Sequence, residues 1–428
     1  MVTCDGAFKR ARIIAITLIE VKAMQKARWQ QNMVFLWLGN FMTGMGFSMT
    51  MPFLPLYLQT LGHFDTWQLN LLSGTAFAIT FLAKAIASPF WGKLADQYGR
   101  KPMCLRASLG MTITITLCGL APNVWFLIVV RGIQGCFSGY INNANAIIAA
   151  SVPVEKSGKA MGTLATGNVV GTLLGPLLGG ALAGMFGYRA SFFVTGAMMF
   201  VTFLLTLFCV HEAFTPVPKA KMVPTKQIFN QMPYPRLIWG LFITTMVIQA
   251  ANMSITSFIS LLVASMVKNS SQVAFVSGVV SSLPGIVTLI ASPVLGALSD
   301  RVGAEKILLV GLVMAVICFI PMSLIHNIWQ LGSLRALLGI SDAALLPAIQ
   351  ALMTRYVPKA GFGRIFSYNQ SFQAMGSVGG PMLGSVVASL FNYRSVFLMT
   401  AILEGVNVLV LWPGTREVWR HHPKKVTV

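Results

Sequence analysis

Stretches of eighteen or more mostly apolar residues recur along the whole chain, and each is long enough to cross a membrane as a helix. Charged residues make up only 10% of the 428 residues, against roughly 25% in soluble domains. The approximate limits of the stretches are 33–58, 67–94, 103–121, 124–148, 159–183, 189–210, 235–265, 271–298, 305–325, 327–352, 362–390 and 394–412. Because backbone in lipid must satisfy its own hydrogen bonds, the sequence predicts an all-α membrane protein with twelve transmembrane helices.

The basic residues fall unevenly between the two sets of loops. With the N-terminus inside, 25 of the 31 Lys and Arg residues lie in the termini, the central connection and the loops on that side. The other six are Arg189, Lys268 and Arg394 in opposite loops, and Lys84, Arg131 and Arg335 within spans. Because Lys and Arg accumulate on the cytoplasmic side, both termini are predicted to be cytoplasmic. The basic residues of this cytoplasmic face explain the net charge of +20, so the charge does not indicate a nucleic-acid partner.

The longest polar connection, rich in Pro and Lys, follows the sixth span. It divides the chain into an N-terminal cytoplasmic segment (1–32), a six-helix bundle (33–210), a linker (211–234), a second six-helix bundle (235–412) and a basic cytoplasmic tail (413–428). The first segment has an apolar core too short to span. It is either an amphipathic cytoplasmic segment or an extension upstream of a natural translation start at Met24.

The two halves repeat each other at a constant spacing. The segment ASPFWGKLADQYG (Ala87–Gly99) matches ASPVLGALSDRVG (Ala291–Gly303) at seven of thirteen positions, 204 residues later. Arg131 recurs as Arg335 at the same spacing. Parallel halves related by an axis along the membrane normal are a transporter architecture, in which a central site opens alternately to each side.

Four motifs carry a resemblance to a known family. GKLADQYGRK after span two and GALSDRVGAEK after span eight resemble the loop signature of the major facilitator superfamily. RGIQGCFSG is similar to its span-four arginine motif, and GNVVGTLLGPLLGG to the span-five motif of its antiporters. MPFLPLYL (Met51–Leu58) and RIFSYNQSF (Arg364–Phe372) are most similar to the MdtG-type multidrug efflux family of bacterial inner membranes. The resemblance, over residues 27–412, implies that superfamily's fold, with two pseudo-symmetric six-helix bundles, and drug:proton antiport.

The resemblance also assigns roles to two sets of residues. The loop signature is implied to act as a conformational latch that holds the cytoplasmic side closed, through Gly92, Asp96, Gly99, Arg100, Lys101, Asp300 and Arg301. An acid at a helix N-terminus gains roughly 0.3–1 kcal/mol, a size suited to a reversible latch. The antiporter motif, implied to restrict leakage, comprises Gly167, Gly171, Gly175, Pro176, Gly179 and Gly180, with Gly380 and Pro381 as its repeat. The alternatives are a solvated turn and plain helix packing.

The spacing of the glycines in span five predicts a helix contact independently of the family resemblance. Gly167, Gly171, Gly175 and Gly179 are four residues apart and therefore lie on one helix face. Small residues on one face let another helix approach closely, which is how membrane helices gain packing contact. We expect a close helix–helix contact along this face.

Two of the eleven acidic residues, Asp342 and Glu404, lie well inside spans. Ionisable residues within a membrane are costly and are by default functional. Asp342 is two turns from Arg335 on one helix face, so a neighbouring cation can tune its ionisation. We predict that Asp342 carries the coupling proton, with Glu404 as the second candidate and Arg131 and Arg335 tuning the charge. Alternatively, both acids are structural and bond to polar neighbours.

A substrate pocket is expected near mid-depth between the halves. Its predicted residues are Asn40, Met45, Met49, Asn142, Asn145, Gln249 and Asn252. Methionine suits adaptable apolar surfaces, although methionines on a span also serve as core or lipid-facing residues. Several drug:proton relatives carry an acid in span one, where this chain has amide and hydroxyl side chains instead.

Together these features predict a monomeric exporter of small amphipathic compounds that uses the proton gradient as its energy source and no other cofactor. The sequence contains no nucleotide loop, metal cluster or nucleophile constellation, so neither an enzyme nor a metal site is expected. Two alternatives stay open: a proton-coupled exporter of one metabolite, such as a sugar or lipid-like compound, and a membrane sensor that binds a ligand without moving it.

Overall fold

The computed structural model describes residues 29–152, 154–212, 232–267, 269–357 and 362–421, which form twelve helices, α1–α12. Helix α1 has three consecutive parts: an α-helix at residues 29–50, a 3-10 turn at Met51–Phe53 and an α-helix at Leu54–Gln59. Helix α4 has two α-helical segments, Val124–Phe137 and Tyr140–Ser151. The others are α2 Thr66–Tyr98, α3 Arg100–Gly119, α5 Val154–Phe186, α6 Tyr188–Cys209, α7 Pro235–Met266, α8 Ser270–Val302, α9 Ala304–Met322, α10 Ile328–Tyr356, α11 Phe362–Leu390 and α12 Tyr393–His421.

Within the described ranges, nine of these helices are long and apolar enough to cross a membrane, namely all except α1, α3 and α11. Each of the twelve predicted spans corresponds to a helix, including these three, whose apolar residues are mixed with polar ones. Several helices run past the predicted limits, because a helix does not end where its apolar stretch meets water. For example, α12 continues through Pro413 to His421, past the expected end at 412. The predicted N-terminal segment up to residue 28 and most of the linker lie outside the described residues.

The helices pack as two six-helix bundles. In the first, α3 packs on α6 and on α4, and α2 packs on α4; in the second, α9 packs on α12 and on α10, and α8 packs on α10. The two bundles meet along two helix pairs, α2 with α11 and α5 with α8. The elements at the end of α1 also contact α7. These contacts leave α1, α4, α7 and α10 around the centre.

The internal repeat is visible in local geometry as well as in sequence. The Asn123 side chain accepts a hydrogen bond from the Phe126 amide at 2.9 Å and so begins α4. Asn327, 204 residues later, caps α10 in the same way at 2.9 Å. Gly99 and Gly303, which join the second helix of each half to the third, have φ angles of 98° and 108°. Only glycine adopts this backbone region readily. Both halves therefore use a glycine to make the turn between their second and third helices.

The bundle has two distinct ends. We call the end where α2 meets α3 and α8 meets α9 the basic end, and the opposite one the distal end. The contacts between halves lie toward the distal end: Gly74 on α2 packs against Pro381 and Ser385 on α11, and Gly180 on α5 packs against Ala274 on α8. Toward the basic end, the faces of α2 and α11 carry exposed small and polar residues, including Ser88 and Ser371. The molecule is therefore open at the basic end.

A hydrophobic cluster shared by both bundles closes the distal end. It joins Leu54 and Leu58 of α1 to Phe258 and Leu261 of α7 and to Val273 of α8. All five side chains are buried. Burying apolar side chains stabilises a contact by about 1.5–3 kcal/mol each when fully removed from water. This cluster holds the halves together where the cavity between them ends.

Candidate transport site

The glycine face of α5 packs directly on the backbone of α1. A Cβ at Gly171 would overlap the carbonyl oxygen of Phe41 and lie 2.8 Å from the Met45 amide nitrogen. In the second half, a Cβ at Gly376 on α11 would meet the backbone of α7 in the same way, 3.1 Å from the Ala250 nitrogen. The close contact expected from the four-residue spacing is present, and the repeat reproduces it. It fixes the two central helices against their neighbours.

The motif residues around this face divide between the two interfaces. Gly167, Gly175 and Gly179 also face α1, whereas Gly180 and the Pro176 carbonyl face Ala274 and Gly278 on α8. Gly380 packs on Ala250 of α7, and the Pro381 carbonyl faces Gly74 of α2. The motif therefore serves both the packing within each half and the contact between halves.

Amide side chains join the central helices in pairs. Asn40 on α1 donates to Asn145 on α4 over 3.4 Å, and Gln373 on α11 donates to Gln249 on α7 over 3.2 Å. Gln373 was not among the predicted residues, although its polar position in an apolar span was a usable signal. Asn142 is exposed on the second segment of α4. These amides link α1 to α4 in the first half and α7 to α11 in the second.

The two methionines predicted for the pocket lie elsewhere. Met49 is 1% exposed, and its sulfur accepts a hydrogen bond from the Thr195 hydroxyl of α6 at 3.6 Å. Met45 is buried beneath the glycine face of α5. The structure therefore places both within the packing of the first bundle, and it does not bring them together with the amides.

Arg131 is fully buried between α4, α2 and α1. Its guanidinium donates to the Ala76 carbonyl at 3.3 Å, to Gln134 at 3.1 Å and to the Met51 sulfur at 3.4 Å. All three acceptors are neutral. Among the described residues, neutral hydrogen-bond acceptors therefore stabilise the positive charge that Arg131 brings to the first half.

Asp342 and Arg335 form the corresponding centre of the second half. The two charges interact along α10, and the Asn252 side chain of α7 lies beside the Asp342 carboxylate. Arg335 is buried and its Nε has no hydrogen-bond partner among the described residues. Asp342 itself is only partly buried, so it has access to the cavity. A carboxylate with one charged and one amide neighbour is suited to gain and lose a proton.

Glu404 lies close to this centre at the end of a hydrogen-bond chain. Thr244 on α7 donates to Asn407 on α12 at 2.9 Å, and Asn407 donates to Glu404 at 3.1 Å. Glu404 is 2% exposed and interacts electrostatically with Asp342. The two intramembrane acids of the sequence are thus brought together in one bundle, with three helices holding them.

The predicted latch residues lie at the open basic end. A Cβ at Gly92 or at Gly296 would meet no described atom within 4 Å, so nothing in the described part of the chain packs directly on these two glycines. The side chains of Asp96 and Asp300 lie outside the described residues, and Arg301 is exposed.

The start of α3 is held by an acid at the beginning of the predicted linker (211–234), for which no role was predicted. The carboxylate of Glu212, just after α6, accepts hydrogen bonds from the backbone amides of Arg100 and Lys101 at 2.8 and 2.7 Å. An anion at a helix N-terminus is favourable for its unpaired amides and its dipole. Glu212 therefore fixes the α2–α3 loop from within the first half.

Helix α4 is broken at Ser138 and Gly139, where a continuous span was expected. Gly139 has φ 119° and ψ 13°, in the left-handed region. Arg106 of α3 donates to the carbonyls of Cys136 and Ser138 at 3.2 and 3.1 Å, and its guanidinium lies 3.8 Å from the ring centroid of Trp91. Arg106, one of the 25 basic residues counted on the cytoplasmic side, therefore satisfies backbone groups that the break leaves open.

Replacing Arg106 with Met is expected to lower the thermal stability of the protein. The change removes the Arg106 donor from the Ser138 carbonyl and leaves the Cys136 carbonyl with Trp91 as its remaining side-chain donor. An unsatisfied buried group costs about 1–3 kcal/mol. Thermal unfolding of the detergent-purified protein measures the effect, with Arg236→Met, at an exposed position, as the matched control. Equal midpoints for the two variants would show that Arg106 does not hold the break.

Comparisons with known proteins agree with this architecture. A family model described as the Major Facilitator Superfamily matches residues 36–279 and 259–427. The chain is 48% identical over 388 residues to the multidrug resistance protein MdtG of Proteus mirabilis, covering 91% of this chain and 96% of that protein. It is 47% identical to MdtG of Escherichia fergusonii over 388 residues, covering 91% and 95%.

Solved structures show the same fold. One is a bacterial homolog of the human lysosomal transporter Spinster in an inward-facing, unoccupied conformation, with TM-score 0.72, 18% identity and coverage of 94% of this chain and 99% of that one. The inward-facing, occupied form gives TM-score 0.73, 17% identity and coverage of 92% and 98%. The resemblance expected from the loop and glycine motifs is thus confirmed over nearly the whole chain. This chain, a multi-pass membrane protein of two six-helix bundles, belongs to the major facilitator superfamily of transporters.

Proposed function

We propose that this chain exports amphipathic toxic compounds across a bacterial inner membrane in exchange for protons. The observation that carries the proposal is its 47–48% identity, over 91% of the chain, to proteins named for multidrug resistance. The acids and amides around the cavity are consistent with a site that binds varied compounds and protons.

The distribution of charge supports an orientation with both termini in the cytoplasm. The exposed basic residues Lys93 and Arg301 lie at the open end of the bundle, and Lys and Arg mark the cytoplasmic side of membrane proteins. In that orientation the cavity faces the cytoplasm, from which an exporter takes its substrate. The conformation described is then the loading state of a monomer.

The cycle that we propose uses the acid pair of the second half. A proton from the outside binds to Asp342, and the substrate then leaves. Proton binding is possible because the carboxylate is only partly buried and lies beside Asn252. Return to the cytoplasm-facing state lets the proton leave inward and restores the pocket. Arg335 and Glu404 tune the charge at this position, and Arg131 does so in the first half. Closure at the basic end would engage the loop signature, including Asp96 and Asp300.

Flux across proteoliposomes with an imposed pH gradient tests the proposal. Gradient-driven movement of several chemically unrelated amphipathic compounds is the expected result. Movement of a single compound from a broad panel would instead indicate an exporter of one metabolite. Binding without any gradient-driven flux would contradict export and favour a sensor.

A further inference from the structure

Lys84 is an intramembrane cation that the proposed cycle does not use. It lies in the middle of α2, its side chain is partly buried, and it makes no hydrogen bond or ion pair with any residue that the structure describes. A charge held in a membrane without a partner is costly and marks a functional position by default. The question is what this ammonium group binds.

The neighbours of Lys84 place it beside the break in α4. Thr80 donates to the Arg131 carbonyl at 3.0 Å, and a Cβ on Gly135 would lie 2.9 Å from the Ala83 side chain. About two turns further along α2, Trp91 donates to the Cys136 carbonyl at 2.8 Å. Lys84 lies between these contacts, so the section of α2 that carries it packs on the residues leading into Ser138 and Gly139.

The break exposes further groups that favour negative charge. The second segment of α4 starts at Tyr140 without a side-chain cap, and the Asn143 amide is the first to bond back, to Gly139 at 3.3 Å. The amides of residues 140–142 therefore have no partner within the helix. In addition, Arg106 keeps its buried Nε without a hydrogen-bond partner among the described residues. Half-helix N-termini at a break within a membrane bind anionic groups of substrates in other transporter folds.

The internal repeat shows that the two halves differ in charge at this depth. Position 84 corresponds to Thr288, whose hydroxyl donates to the Gly339 carbonyl at 2.8 Å. Gly339 is three residues from Asp342, and Asp342 corresponds to Ser138 at the break. A repeat about the membrane normal keeps depth. The first half therefore presents a cation at the level where the second half presents its proton-binding acid.

We propose that Lys84, with the amide groups at the break in α4, forms a subsite for the acidic group of an amphipathic substrate. This proposal rests on the proposed export function, because it names the part of the cavity wall that holds one end of the substrate. Asn142, in the first turn after the break, is exposed, so this turn is accessible from outside the packed core. Asp342 on the other wall is left free for the proton.

Binding of three naphthyl probes to the purified full-length protein tests the subsite. The probes are 2-naphthylacetate, its methyl ester and (2-naphthylmethyl)trimethylammonium, which share one ring system and differ in charge. Their dissociation constants are measured by quenching of tryptophan fluorescence for the parent, Lys84→Gln and Lys84→Arg. Lys93→Gln, at an exposed lysine of the same helix, is the matched control.

We expect Lys84→Gln to weaken binding of the carboxylate at least about tenfold, as loss of one charge-assisted interaction would. Binding of the ester and of the ammonium probe should change less than twofold, and Lys84→Arg and Lys93→Gln should bind all three like the parent. Unchanged carboxylate binding in Lys84→Gln would overturn the subsite, and so would an equal loss for all three probes, which a purely structural role predicts. The assay needs no flux: Lys84-dependent binding without gradient-driven transport would contradict export and still support the subsite.

Discussion

Replacing Asp342 with Asn is expected to abolish proton-driven transport while leaving substrate binding intact. Asparagine keeps the size of the side chain and its amide neighbour Asn252 but cannot release or take up a proton. Substrate movement driven by an imposed pH gradient should fall to the level of protein-free vesicles. Exchange of labelled for unlabelled substrate at equal pH, which needs no net proton movement, should continue.

The same substitution at an exposed acid gives the control. Asp65→Asn, at the distal start of α2, should retain gradient-driven flux. Glu404→Gln separates the two acids, since Glu404 is buried and linked to Asn407. Full gradient-driven flux in Asp342→Asn would remove Asp342 from the coupling step. Loss of flux in Glu404→Gln alone would assign the proton to Glu404 instead.

Replacing Gly171 with Ala is expected to destabilise the protein and impair transport. The added methyl group would overlap the Phe41 carbonyl oxygen, and because that atom is backbone, α1 or α5 must shift. Overpacking of this kind costs about 1–3 kcal/mol. The thermal midpoint of the purified variant should fall, and export should fall with it because α1 lines the cavity.

Gly162→Ala on the same helix is the matched control. A Cβ there would meet no atom within 4 Å, so the change should leave the midpoint unchanged or raise it, since alanine is favoured over glycine in a helix by about 1 kcal/mol. If both variants lowered the midpoint equally, the loss would come from an effect that the two added methyl groups share and not from the overlap with the Phe41 carbonyl oxygen. The close α1–α5 contact would then not limit stability.

Most of the fold is predictable from the sequence because two signals in it are strong. Apolar stretches long enough to cross a membrane leave the backbone no alternative to helix, and the 204-residue repeat fixes the arrangement of the halves. The glycines of α5 also indicated their contact, since a four-residue spacing places them on one face. Helix ends were less predictable, as α12 shows, because hydropathy locates the membrane boundary and not the last hydrogen bond.

The site was only partly predictable, for reasons that differ between residues. Asp342 and Glu404 stood out because acids are rare in spans, and their proximity could not be read from positions 62 residues apart in the chain. The methionines were misleading, because a flexible apolar side chain suits a core as well as a pocket: Met49 packs against Thr195. The break in α4 and the role of Arg106 depend on contacts between α3 and α4, which hydrophobic periodicity does not encode.

The central claim is that the two bundles swing about the cavity, so that one end closes as the other opens. Paired spin labels test it most directly, at Trp67 and Ser389 at the distal end, where the Ser389 hydroxyl contacts the Trp67 carbonyl at 3.5 Å, and at the exposed Ser88 and Ser371 toward the basic end. Lowering the pH or adding a transported compound should lengthen the distal distance and shorten the basic one together. Distances that stay fixed, or that change in the same sense at both ends, would contradict the account.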